Sequence, residues 1–511
     1  MVFIYVVIVQ LILFVRLLLI LWLFNFNIIV VSLKVFNHNF FSDFELRITI
    51  WRLLFLIMVL IIRRAVIIFS CSYINGLSIN NFLILYLRFV FRISWLIVNN
   101  SFYWMILGWD GLGVVSFLLI VFYINVERIN NGLFTLFQNR IGDLFFILFI
   151  LFMLRRVIRL TLVVKIGLLF LIIGRCVKSA QFPFNSWLLA AIRAPTPISS
   201  LVHSSTLVVA GVYILLQFRY CFIEYLLVIK WLSLLTLVIR RFGLLNEIDI
   251  KKLIAYSTIS HVALILYFYS FRMFKIVYFH LNIHAMFKSI IFICFGFVIL
   301  CSYHSQDKRL VSLLSLNPLL KIVYYFSCLC LAGLPFIRGF FSKDFMLEKI
   351  IENNQEFFFI FFLLLFLRIR VYYSLKLIRL IQWSFVFLIF EKNYFGIRRV
   401  VGIIMVSLLI INVYLRLIFS VRLEFFSSKV FIYLLILVMG FLSLMTNLNF
   451  KFIVYDKIKN FFEVWIVSYY SLEKFIYWNI FLIIEYINYF RNVKLIVLIN
   501  WWVIIIFVVL F

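Results

Sequence analysis

Long apolar runs, broken at intervals by short clusters of Asn, Lys, Glu and Asp, make up almost the whole chain. A helix needs about 20 apolar residues to cross a bilayer. The runs accommodate on the order of 14 to 16 such spans, so the pattern predicts an all-α polytopic membrane protein. Two long runs flank a polar loop near Asn37 to Glu45. The opening stretch MVFIYVVIVQLILFV has neither a basic leader nor a cleavage site, and it reads as a first span. Residues 354–447 hold further apolar runs, and then the text changes. Between Lys451 and Asn492, Asp456, Asn460, Glu463, Ser471, Lys474 and Glu485 form a polar stripe among Trp465, Tyr469 and Trp478. That is the pattern of an amphipathic helix lying along a membrane face. A last span is expected at 493–511. The expected organisation is N-terminal spans over 1–68, a polar-rich core over 69–350, further spans over 351–450, the amphipathic helix over 451–492 and the final span.

Composition agrees: the 511 residues are 67% hydrophobic and only 13% charged, with a mean hydropathy of +1.18. A soluble globular chain is excluded. Seven cysteines form no CxxC pair and no repeated ligand spacing, so they read as small apolar residues.

The exceptions to the apolar pattern carry the chemistry. In KSAQFPFNSWLLAAIRAPTPISSLVHSSTLVVAG, Lys178 lies at bilayer depth, where a charge costs at least about 2.5–3.5 kcal/mol and survives facing protein or water. Pro195 and Pro197 lack amide hydrogens and are expected to break the helix that carries them. Freed carbonyls then need a buried or wet site. Asp110, in GWDGLGVVSFLLI, is a carboxylate in an apolar span or a cap at a helix end. Gly111 and Gly113 beside it would permit close approach by a neighbouring helix. In NRIGD, Asn139, Arg140 and Asp143 make either a local ion pair at the head of a span or a solvated loop pair. Lys251 and Lys252 in DIKKLIAYSTISH lead into a polar patch, or fix topology. His280, His284 and Lys288 recur at i, i+4 and i+8 and share one helical face. No third ligand accompanies the two histidines, so a proton relay suits them better than a metal. Pro335, between Gly333 and Gly339, interrupts a span just before Lys343 and Asp344.

These segments, GWDGLGVVSFLLI, NRIGD, KSAQFPF, APTPISSLVHSSTLVVAG, DIKKLIAYSTIS, HAMFK and GLPFIRGFFSKD, resemble the subunit 5 family of antiporter-like membrane subunits in mitochondrial respiratory complex I. The resemblance covers a little over half of the chain. It implies two inverted five-helix repeats, two broken helices, and the C-terminal lateral helix. It also implies roles: Asp110 as partner of Lys178 on the first broken helix, then a polar axis through His203, Lys251, Lys252, His280, His284 and Lys288. Lys343 and Asp344 would stand on the second broken helix, at the exit. The implied activity is proton translocation within NADH:ubiquinone oxidoreductase, in the mitochondrial inner membrane beside other antiporter-like subunits. No cofactor is expected in this chain; NADH, FMN, iron-sulfur clusters and ubiquinone would belong to partner subunits. A sodium/proton antiporter subunit and a non-pumping membrane scaffold are the alternatives.

The charge fits none of these readings directly. Lys and Arg total 48 against 19 acidic residues, a formal net charge of +29. Arg16, Arg52, Arg88, Arg92, Arg175, Arg240, Arg241, Arg368 and Arg370 fall within apolar runs, without the spacing of a voltage sensor or a nucleic-acid surface. Many are expected to be serine positions, AGA and AGG codons read with the standard code where an invertebrate mitochondrial code applies. Arg193 and Arg338 stand where the resembled family carries other residues, Leu189 stands where it carries proline, and His261 where it commonly carries glutamine. If genuine, Arg193 is expected beside Lys178.

Overall fold

The computed structural model describes residues 28–33, 44–74, 78–123, 125–154, 161–247, 249–302, 306–307, 318–333, 342–343, 373–374 and 377–378. All lie in the larger of two compact units, Met1–Asn447 and Leu448–Phe511. The expected first span over residues 1–27, most of 354–447, the lateral helix, the last span and Asp344 lie outside the described residues.

Among the described residues, two strands precede the first helix. β1 (Ile28–Leu33) pairs antiparallel with β2 (Phe44–Thr49), Ile28 opposite Thr49 and Leu33 opposite Phe44. The reason is period: β2 alternates Phe44, Leu46 and Ile48 with Glu45, Arg47 and Thr49, which suits a strand and not a lipid-facing helix. Thr49 then caps α1 (Ile50–Tyr73), its hydroxyl accepting from the Arg52 amide at 3.3 Å.

Helices follow throughout: α2 (Ile79–Val98), α3 (Phe102–Ile120), α4 (Val126–Leu154), α5 (Thr161–Lys178), the short α6 (Ser186–Ala191) and α7 (Thr196–Gln217). A 3₁₀ turn over Arg219–Tyr225 leads to α8 (Leu226–Asn246), α9 (Ile250–Tyr269), α10 (Phe274–Cys301) and α11 (Pro318–Ala332). Among the described residues, eight helical segments are long and apolar enough to cross a membrane. The chain is a multi-pass membrane protein. α5 falls outside that group because Lys165, Arg175 and Lys178 interrupt its hydropathy.

α7, α9 and α10 are buried almost all round and form the inner layer. Around them, α4 runs along α5, α8 along α9, and α2 along α3. α4 keeps an outward apolar stripe of Leu133, Phe137, Leu144, Leu148 and Leu151, as expected of a lipid-facing helix. The glycines in α3 act differently from their expected roles. Gly108, one turn earlier, meets the α2 backbone, where a Cβ would lie 3.1 Å from Arg92 O. A Cβ on Gly111 would strike the Arg92 side chain at 2.8 Å, and one on Gly113 would make ordinary contact with Asn139.

The first helix break also falls elsewhere than expected. α5 stops at Lys178, and the chain crosses residues 179–185 before α6 begins. Pro195 and Pro197 do not break a helix: Pro195 is the N-cap of α7 and Pro197 lies in its first turn. A proline costs little there, because first-turn amides have no intrahelical partner. The irregularity of α7 is a π-helical stretch, Ser199–Thr206. Its hydroxyls serve the loosened backbone: Ser199 Oγ donates to Thr196 O and Ser200 Oγ to Pro197 O, both at 2.8 Å, and Thr206 Oγ1 reaches back to Leu201 O at 2.7 Å. The second break has a similar start. α11 ends at Ala332, Gly333 takes a positive φ of 77° that favours glycine, and helical backbone recurs at Ser342–Lys343.

Candidate functional site

The contact that builds the site is between α4 and α5. A Cβ on Gly174 would lie 2.9 Å from Gly142 O, and one on Gly142 would lie 3.1 Å from Val177 Cβ, so the two backbones touch. Asp143 follows Gly142, and Lys178 stands one turn beyond Gly174. The crossing therefore sets these two side chains opposite each other, with Lys178 Nζ 3.6 Å from Asp143 Oδ1. Both are buried, Lys178 with no exposed surface. Lys178 also lies in the last turn of α5, where helix carbonyls favour a cation.

Further groups close around the ammonium. Lys178 Nζ donates to the main-chain oxygen of Trp109 and sits 3.9 Å from the centroid of the Trp109 ring. Arg140 bridges two carboxylates, 3.4 Å from Asp143 and 3.9 Å from Asp110. Asp110 interacts electrostatically with Lys178 but makes its ion pair with Arg140. The direct ion-pair partner of Lys178 is thus Asp143, the residue that sequence left as a local or solvated pair. Asp110 and Arg140 keep about a quarter to a third of their side-chain surface exposed, 23% and 32%. The network therefore runs from a partly open end at Asp110 to a closed end at Lys178.

Beyond the break, Gln181 accepts from Thr236 Oγ1 at 2.8 Å, and Asn185 accepts from the buried Arg240, tying the crossing segment to α8. Lys251 is buried, and its Nζ donates to Ala194 O at 3.3 Å, just before α7 starts. Lys252 diverges from it: 37% exposed, it pairs with Asp249 at 2.6 Å at the head of α9. The structure separates this pair, one lysine inside the bundle and one at its margin. His203 falls in the π-helical stretch, and its side chain lies outside the described residues.

On α10 the expected face is present and buried. Lys288 Nζ donates to Ser257 Oγ and, at 3.3 Å, to Tyr373 Oη. The His284 ring packs against His261 of α9, centroids 5.4 Å apart. His280 Nδ1 lies 2.9 Å from Ser342 Oγ, which brings α10 beside the second break. Lys343 then donates to Leu331 O at 2.5 Å and so occupies the carbonyl end of α11. Trp109, Ser257, Tyr373 and Ser342 were not marked as functional from sequence. Of these only Ser257 had a visible signal, its place in the polar patch after Lys252. Among the described residues, no group of three or more His, Cys, Asp and Glu is placed to hold a metal.

The arginines divide into two kinds. Arg52 is well used, donating to Arg47 O at 2.8 Å, to Val98 O at 3.0 Å at the end of α2, and to Asn100 Oδ1 at 2.7 Å. Arg193 pairs with Glu127 between exposed side chains, and the arginine that faces Lys178 is Arg140. Arg175 is fully buried, and all three of its guanidinium nitrogens lack a hydrogen-bond partner. The Phe222 ring stands 4.7 Å from its charge.

Residues 99–367, just over half of the chain, match the membrane-domain family of NADH:quinone oxidoreductases and Mrp antiporters. The chain belongs to this family. The matched span contains Asp110, Asp143, Lys178 and the α9 and α10 groups. Similar curated proteins are NADH-ubiquinone oxidoreductase chain 5 of Locusta migratoria, 40% identical over 60% of this chain and 56% of that one, and of Anopheles gambiae, 38% identical over 64% and 59%. The Caenorhabditis elegans protein of the same name is 35% identical over 66% and 65%. The chain thus spans somewhat over half the length of the first two. Two solved structures share the fold: the Mrp complex of a Dietzia species, with a TM-score of 0.74 at 18% identity over 98% of this chain and 59% of that one, and an archaeal membrane-bound sulfane sulfur reductase, with a TM-score of 0.64 at 20% identity over 80% and 86%.

Proposed function

We propose that this chain is a proton-translocating membrane subunit of NADH:ubiquinone oxidoreductase, seated in the mitochondrial inner membrane beside other antiporter-like subunits. The observation that carries the reading is the buried Lys178–Asp143 pair at the start of a succession of buried basic groups. A buried charge is retained at a cost, and in a membrane that cost marks an ion path. Supporting the oxidoreductase over a sodium/proton antiporter are the relatives named NADH-ubiquinone oxidoreductase chain 5 at 38–40% identity. The Mrp neighbour carries the fold alone.

In this reading Asp143 holds Lys178 as an ammonium. When the carboxylate moves off, the ammonium loses its counter-charge where no bulk water replaces it, and its proton passes on. Lys251, the His261–His284 pair and Lys288 are the next groups able to carry it. His280, Ser342 and Lys343, with Asp344 nearby in sequence, form the far end, where Lys343 releases its proton. Asp110 and Arg140 form the entrance. His203 and Lys252 keep the roles the family resemblance implies. NADH, FMN, iron-sulfur clusters and ubiquinone belong to partner subunits, whose redox chemistry drives the movement.

Purified complexes containing this chain, reconstituted in sealed liposomes, test the assignment. NADH oxidation with ubiquinone should build a pH gradient that does not depend on sodium. Absence of NADH-oxidising activity from the purified assembly, or an obligatory sodium requirement, would favour the antiporter. An unchanged gradient in variants of every buried lysine would favour a scaffold.

A further inference from the structure

The Lys178 site contains one group that no acid–base scheme uses. Trp109 is fully buried, and it meets the Lys178 ammonium twice, through its main-chain oxygen and through its ring face at 3.9 Å. The ring is not free to turn away. It stacks on Phe146 at 5.4 Å with planes 28° apart, and Phe146 meets Phe149 edge to face at 6.2 Å. Phe146 and Phe149 lie on α4, the helix that carries Asp143, so the indole and the carboxylate approach Lys178 from two different helices.

An indole face attracts a cation, and most strongly when neither partner is hydrated. Its attraction differs from that of Asp143 in one respect: the ring bears no net charge and needs no proton. The indole also stands against the Asp143 side chain, but its stack on Phe146 does not depend on the carboxylate, so the ring can stay in contact when the carboxylate moves off. The other charges that bear on Lys178 are Asp110, which favours the ammonium, and Arg140, which opposes it. Without the ring, a lysine released by Asp143 would be drawn toward the partly exposed Asp110 end and back the way its proton came.

We propose that Trp109 is a positioning residue that holds the Lys178 ammonium in place while its carboxylate partner is away, so that the proton leaves forward. The proposal rests on the translocation reading above. Its proton balance is simple: an N–H bond of Lys178 breaks, one forms on the next acceptor, and Trp109 neither gains nor loses a proton.

The test uses the assembled complex in liposomes, with NADH-driven proton translocation measured against NADH oxidation. Trp109→Phe keeps a ring face and should retain at least half of the wild-type translocation per NADH. Trp109→Leu removes it and should lower translocation about tenfold. Fluorinated tryptophan, which keeps the shape of the indole while draining its negative face, should lower translocation in proportion to fluorine content. That sensitivity should vanish in the Trp109→Phe background, which removes the effect of the chain's other tryptophans. If Trp109→Leu does not assemble, the fluorination comparison decides alone. Wild-type translocation by Trp109→Leu, equal loss in the Phe and Leu variants, or equal fluorine sensitivity in both backgrounds would overturn the proposal. Lys178→Met is the separate control. If it translocates normally, the underlying reading fails, whereas its loss together with a silent Trp109→Leu rejects Trp109 alone.

Discussion

Lys178 and Asp143 face each other 3.6 Å apart across two helices whose backbones touch at Gly174 and Gly142. The pair is more deeply buried than the Arg140–Asp110 contact beside it, and that difference ranks the two carboxylates.

Asp143→Asn should be more damaging than Asp110→Asn. Removing one partner of a buried ion pair costs about 3–5 kcal/mol, because the remaining charge is stranded. Asp110 is partly open to solvent, and its loss leaves Arg140 still paired with Asp143 at 3.4 Å. We expect translocation per NADH to fall at least about tenfold in Asp143→Asn and a few-fold in Asp110→Asn. NADH oxidation with an artificial acceptor serves as the control for assembly. The reverse order would mean that Asp110 is the true partner of the lysine.

The glycine contact gives a structural prediction. Gly174→Val places a branched side chain where even a Cβ lies 2.9 Å from Gly142 O, so α5 must shift away from α4. Overpacking of this kind costs about 1–3 kcal/mol. It should reduce the amount of assembled complex and its thermal stability. Gly113→Ala, whose Cβ would sit an ordinary 3.6 Å from Asn139, should be tolerated.

Much of the site was legible because its residues are costly where they stand. Lys178, Lys288 and Lys343 could be singled out in an apolar text by hydropathy alone, and His280, His284 and Lys288 by helical spacing. The choice between Asp110 and Asp143 was not legible. It depends on where α4 crosses α5, and the small residues that fix the crossing, Gly142 and Gly174, carry no mark of a partner helix. The prolines misled for a related reason. Proline announces irregular backbone but not whether it lies inside a helix or starts one, and Pro195 and Pro197 start α7. Lys251 and Lys252 were indistinguishable as neighbours until the direction of α9 put one inside and one at the margin. The β1–β2 hairpin was concealed by the same hydrophobicity that signalled spans, although the alternation in β2 was present to be read.

Arg175 bears on the genetic code. A fully buried guanidinium with no hydrogen-bond partner costs several kcal/mol, of which the facing Phe222 ring recovers only part, whereas a serine hydroxyl can donate to its own helix backbone. Mass spectrometry of the natural protein should find serine at 175 and no tryptic cleavage there. A tryptic peptide ending at Arg175 would show that the arginine is genuine and that the codon reading is wrong at this position.

If Lys178 carries protons, the number translocated per electron should fall in the Lys178→Met complex. Methionine keeps the length and apolar stem of lysine, so the helix crossing should survive, and the complex should still oxidise NADH with ubiquinone. The expected result is a lower proton-to-electron ratio than in the wild type. An unchanged ratio in a fully assembled Lys178→Met complex would contradict it.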